Sequence, residues 1–145
     1  MAFEDEFSEK QKDMIALALE YVERVKSTVD TVYIYCAHEN STYSFDLFFK
    51  VGTKILWTHQ LAKNVDRSLI FQVLELGTQD FQDIDTICQK YHQPSPTQIK
   101  LIYDNVSKKV HANYSYDLFD PDSEFFISDA IFKQWIEEVK KEVEG

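Results

Sequence analysis

The sequence predicts an α+β fold: an antiparallel sheet, made of a three-stranded meander and a second hairpin, with flanking helices in the order α-β-β-β-α-β-β-α. Three observations predict it. Segments whose apolar residues fall at every second position alternate with segments where they recur three and four apart. The strand-like segments come in sequential sets split by short polar turns, as antiparallel hairpins require. Three glycines and three prolines among 145 residues leave little room for flexible linkers, so a single domain over residues 1–145 is expected.

The first helix is expected in SEKQKDMIALALEYVERVKSTV (8–29), with Ser8 as N-cap and an apolar stripe of Met14, Leu17, Ala18, Tyr21, Val22 and Val25. The period then falls to two. In TVYIYCA (31–37), Val32, Ile34 and Cys36 alternate with Tyr33, Tyr35 and Ala37. In YSFDLFFKV (43–51), Tyr43, Phe45, Leu47, Phe49 and Val51 alternate with Ser44, Asp46, Phe48 and Lys50. HENST (38–42) reads as a looser hairpin between these strands. Gly52-Thr53 fits a two-residue turn with Gly first, and KILWTHQL (54–61) is the return strand.

Asn64 or Asp66 can cap the next helix, RSLIFQVLELGTQDFQDIDTICQKYH (67–92), whose apolar positions include Ile70, Val73, Leu74, Phe81, Ile84, Cys88 and Tyr91. Gly77 within it costs about 1 kcal/mol relative to Ala, so it marks a close approach or a kink. The prolines of QPSP (93–96) end this helix. TQIKLIYD (97–104) and KKVHANYSYD (108–117) form a second hairpin about DNVSK. SDAIFKQWIEEVKKEVE (128–144) closes the chain as a helix capped by Ser128, with Phe132, Trp135, Ile136, Val139 and Val143 inside.

The net charge of −10 excludes several function classes. Affinity for nucleic acid comes largely from Lys and Arg, and anionic lipid also repels an acidic protein, so neither is an expected partner. A basic protein is the electrostatic complement. The start, MAFEDEFSEK, lacks the basic and apolar regions of a signal peptide, and no apolar run reaches the roughly 20 residues that span a bilayer. Cys36 and Cys88 fall on inward-facing positions, as buried thiols of a reducing cytoplasm would.

Few motifs carry chemistry. His38, His59, His92 and His111 form no metal-binding pair, and no glycine-rich phosphate cradle or nucleophile elbow is present. Two acidic groups stand out. In ELGTQDFQDID, Glu75, Asp80, Asp83 and Asp85 lie without a base, with Asp80 and Asp83 on one helix face away from the apolar stripe. In YSYDLFDPDSEFF (114–126), Asp117, Asp120, Asp122 and Glu124 crowd among aromatics; the spacing fits no calcium loop, and Asp120-Pro121 resembles a helix start. Such groups are ordinarily hydrated faces, but joined into one surface they could block a cationic cleft. Tyr33, Tyr35, Tyr114 and Tyr116 suit an interface, or else the rim of a helix-covered sheet.

Several segments resemble the YezG-like immunity-protein family. VYIYCA (32–37) and YSFDLFFKV (43–51), with Phe48-Phe49, are similar to its first two strands. THQL (58–61) is similar to the end of its third strand, and IKLIYDNVSKKVHANYSYDLF (99–119), with Tyr114, Tyr116 and Asp117, resembles its second hairpin. The resemblance implies an antitoxin that binds and neutralises a cognate toxin, in better-known cases a nuclease, with no catalytic residues and no cofactor. The expected contact surface is Asp80, Asp83, Asp85, Tyr114, Tyr116, Asp117, Asp120, Asp122 and Glu124. The alternatives are a small enzyme with a cleft between sheet and helices, marked by a polar pocket holding a shifted titratable group, or a housekeeping adaptor.

Overall fold

The computed structural model describes residues 2–123 and 126–145. Its elements are α1 (Phe3–Arg24), β1 (Thr31–Glu39), β2 (Thr42–Val51), β3 (Lys54–Trp57), α2 (Arg67–Lys90), β4 (Gln98–Asp104), β5 (Lys109–Ser115) and α3 (Ile127–Glu144), in the order expected. The strands form one antiparallel sheet, β3-β2-β1-β4-β5, in which central β1 joins the meander to the second hairpin.

The alternation in β1 sorts two cores rather than a core and a surface. Val32, Ile34 and Cys36 face α1 and α2 together with Phe45, Leu47, Phe49, Ile99 and Leu101. Tyr33, Tyr35 and Ala37 face α3 with Phe48 and Ile55, where Phe132, Trp135, Ile136 and Val139 seal them. Tyr33 and Tyr35 therefore offer no interface. Tyr33 stacks on Phe48 with ring centroids 4.3 Å apart, and Tyr35, 1% exposed, donates to Gln98 Oε1 at 2.5 Å. Phe81 and Ile84 of α2 enter the first core. At Gly77 the helix meets the ring of Phe45 so closely that an added Cβ would lie 2.2 Å from it, so the glycine serves close packing.

Several local expectations need correcting. Ser8 lies inside α1, which starts five residues earlier with Ala2 at the cap. HENST is no loose hairpin: β1 runs to Glu39, β2 starts at Thr42, and Asn40 and Ser41 both take positive φ, the signature of a tight type I′ turn. The Gly52-Thr53 turn stands as expected, with φ of 60° at Gly52 and its N–H donating to Asp30 Oδ2 at 2.6 Å. The return strand stops at Trp57, and Thr58–Gln60 coil into a 3-10 turn whose Thr58 carbonyl accepts from the Tyr21 hydroxyl. Of the two caps offered for α2, Asp66 acts, its Oδ1 accepting from Ser68 N at 2.9 Å. Ser128 is not the cap of α3, which begins at Ile127.

Candidate functional site

The two acidic groups have different fates. Asp80 and Asp83 are not a bare face: α1 supplies the base that the local sequence lacks. Lys10 Nζ lies 3.2 Å from Asp83 Oδ2 and 3.9 Å from Asp80 Oδ1, and also pairs with Asp13. Burial opposes the Lys10 charge, but its hydrogen bonds to Asp83 and Asp13 outweigh that and raise its pKa. Burial pushes Asp80 up to about 6, despite the partial compensation from Lys10. Asp85 points elsewhere, accepting from the Tyr43 hydroxyl at 2.6 Å and from Gln89 at 3.3 Å. Burial would raise its pKa, yet hydrogen bonds from Ser95, Tyr43 and Gln89 hold it below the usual range. His38 stacks on Tyr43, 4.0 Å between centroids, and completes a polar cluster that the sequence did not announce.

The second group lies on the path from β5 to α3. Tyr114 packs edge-on against Phe7, and its hydroxyl accepts from Gln11 Nε2 at 2.5 Å. With Tyr116, Phe3, Phe7 and Pro94 it lines an open groove of about 560 Å³. Asp117 is anchored through its carbonyl, which accepts from Thr97 Oγ1 at 2.6 Å, while its side chain stays exposed. Asp120 does not start a helix. Its Oδ1 accepts from Asp122 N at 2.9 Å in an Asx turn, and residues 121–122 form a turn only. Asp117, Asp120 and Asp122 are exposed and have no ion-pair partner among the described residues; Glu124 lies outside them. Leu118, 89% exposed, stands between Asp117 and Asp120, and Tyr116 (53% exposed) precedes them.

The structure therefore does not merge the predicted residues into one continuous patch. α1 stands between the groups, giving Lys10 to Asp80 and Asp83 and Gln11 to Tyr114. What it does bring together is Tyr114, Tyr116, Asp117, Asp120 and Asp122, along one exposed run.

Sequence reasoning missed a carboxylate of another kind. Glu39, 1% exposed at the end of β1, accepts from Ile127 N at 2.8 Å, Ser128 N at 3.0 Å and Ser128 Oγ at 2.8 Å. It satisfies the orphan amides at the start of α3 from 88 and 89 residues away. Burial alone would raise its pKa, but these donors keep it lowered. Beside it opens a cleft of about 420 Å³ lined by Thr42, Ser44, Asp46, Phe126, Ser128 and Asp129 as well. Asp46 is pushed up to about 6, by burial first and by the Asp129 charge second.

Among the described residues no group of three His, Cys, Asp or Glu is placed to hold a metal ion, and no helix is long and apolar enough to cross a membrane. Cys36 and Cys88 are buried free thiols, both raised chiefly by burial, so neither is an activated nucleophile. No protein-family model matches the chain, and no curated protein is significantly similar to it.

Proposed function

We propose that this chain is a cytoplasmic immunity protein, which binds a basic cognate toxin and neutralises it by covering its substrate site. One observation carries the reading: the run from Tyr114 to Asp122 presents two tyrosines, Leu118 and three carboxylates to solvent, while Asp80, Asp83 and Asp85 of α2 are engaged within the molecule. An apolar centre with a charged rim is the composition of a protein interface. A nuclease must be basic where it holds its phosphate backbone, so a carboxylate rim complements that surface and speeds the encounter. The resemblance of the strand motifs to YezG-like immunity proteins supports the same reading.

The test has two stages. Capture from the native cell should retrieve a basic protein whose toxic activity this chain suppresses. Replacing Asp117, Asp120 and Asp122 together by Ser should then weaken that complex more at low ionic strength than at high. Equal affinity at every salt concentration would exclude these residues from the contact.

The cleft around Asp46 favours a second reading, a small enzyme. A carboxyl pushed up to about 6 beside Ser44, Ser128 and Asp129 is suited to proton transfer near neutral pH. Asp46→Asn separates the two: toxin neutralisation survives it under the first reading, and its loss in a folded variant moves the function to the cleft.

A further inference from the structure

The two edges of the sheet are treated differently. β3 has four residues, and its Ile55 N–H donates to Glu144 Oε2 at 2.9 Å, so the end of α3 blocks that edge. β5 is a seven-residue outer strand with five exposed residues, and an open edge of unpaired amides and carbonyls is a template for another strand. Among the described residues, five of the eight exposed large apolar side chains, Val106, Val110, Tyr114, Tyr116 and Leu118, fall within this strand and its two flanks. Val110 and Tyr114 share one face of the strand itself, and Val106, Tyr116 and Leu118 lie at its two ends.

We propose that β5 is a homodimerisation edge, pairing antiparallel with β5 of a second copy about a twofold axis at Ala112 to make one ten-stranded sheet. That register sets Val110 opposite Tyr114 of the second copy. The charges agree with the same register. Lys108, Lys109 and His111 make the start of this strand basic within an acidic chain, and the axis brings them to the acidic end of the other copy. Lys109 then sits opposite Ser115 and diagonal to Asp117, within reach of a long side chain. The groove lined by Phe3, Phe7, Tyr114 and Tyr116 lies beside this edge and receives Val110 of the second copy. The inference does not rest on the toxin reading: the dimer covers Tyr114 and engages Asp117, so a toxin and a second copy compete for that part of the run, and only Asp120 and Asp122 lie beyond the paired strand.

Sedimentation velocity on the full chain across the micromolar range should show a reversible monomer–dimer equilibrium. Val110→Lys, which sets an ammonium against Tyr114 of the second copy, should weaken it at least tenfold. Phe71→Lys, at an exposed apolar residue of α2, should leave it intact. A chain that stays monomeric throughout overturns the proposal, as does a dimer that survives Val110→Lys or is lost with Phe71→Lys. If Val110→Lys fails to fold, cysteine cross-linking decides. Like residues meet at the axis with Cα atoms about 5.5 Å apart, within the span of a disulfide, so Ala112→Cys should give a disulfide-linked dimer on mild oxidation and Val110→Cys should not. The reverse pattern, or no cross-link at Ala112→Cys, overturns it.

Discussion

Asp83 and Asp120 come from runs that look alike in the sequence, acid-rich and without an adjacent base, yet the molecule uses them in opposite ways. Asp83 is matched by Lys10 from another helix, and nearby Asp85 by Tyr43 from a strand. Asp120 spends one oxygen on its own turn and shows the rest of its charge to water. The contrast teaches that a crowded carboxylate is available to a partner only when the fold has not already supplied its counterpart. Substitution of carboxylates across the chain, ordered by expected effect, tests that division.

The largest effect belongs to Glu39, the most deeply engaged. Glu39→Ala removes three hydrogen bonds and leaves the first amides of α3 buried without an acceptor, which costs about 3 kcal/mol. Urea denaturation at neutral pH measures it, and a loss below about 1 kcal/mol would mean that water replaces the carboxylate. Asp46 comes next with the opposite sign. Its folded pKa, about 6, stands above the unfolded value near 3.9, so the folded state holds its proton more tightly. The stability it contributes is complete below about pH 4 and lost as the pH rises through 6. Asp46→Asn should stabilise the protein at pH 7 by about 1–2 kcal/mol and flatten the decline between pH 4 and 7. Asp80, raised for the same chief reason, adds to that decline. Glu39 and Asp85, both lowered, act with the opposite sign and at lower pH: their contribution is complete above the ordinary carboxylate range and lost as the pH falls through the folded pKa.

A smaller effect is expected at Tyr43. Tyr43→Phe keeps the ring on His38 and Phe81 but withdraws one donor from a half-exposed Asp85, for a loss of about 1 kcal/mol in chemical denaturation. An unchanged midpoint would class Asp85 with the available acids.

The same contrast explains what could be read from the sequence. Element order followed from periodicity, because the alternation through Val32, Ile34 and Cys36 and the stripe through Phe132, Trp135 and Val139 are imposed by burial over whole elements. Caps and turns followed less well where their partners are distant. Ser128 carries the usual capping signal, yet the α3 amides are satisfied by Glu39, which no local pattern announces. Thr58–Gln60 continue the sequence of a strand but turn away beneath Tyr21. At the site, the acids of both runs were legible as acids; that Lys10 neutralises one run is a tertiary fact, set by the packing of α1 on α2.

The smallest stability effect is the most informative for function. Asp120→Ser with Asp122→Ser removes two exposed charges that make no ion pair among the described residues. Ser can still accept from the backbone two residues on, so the turn at Asp120 keeps its hydrogen bond in weaker form. Folding free energy should move by no more than about 0.5 kcal/mol, as for surface substitutions generally. Removing like charges from a chain already at −10 relieves repulsion, so any change should be a slight gain that vanishes with added salt. A side chain that costs nothing to lose is held for no structural reason. If the double variant instead destabilises the fold by more than about 1 kcal/mol, these acids join Asp83 and Asp85 as internal partners, and the loop loses its standing as a surface kept for another protein.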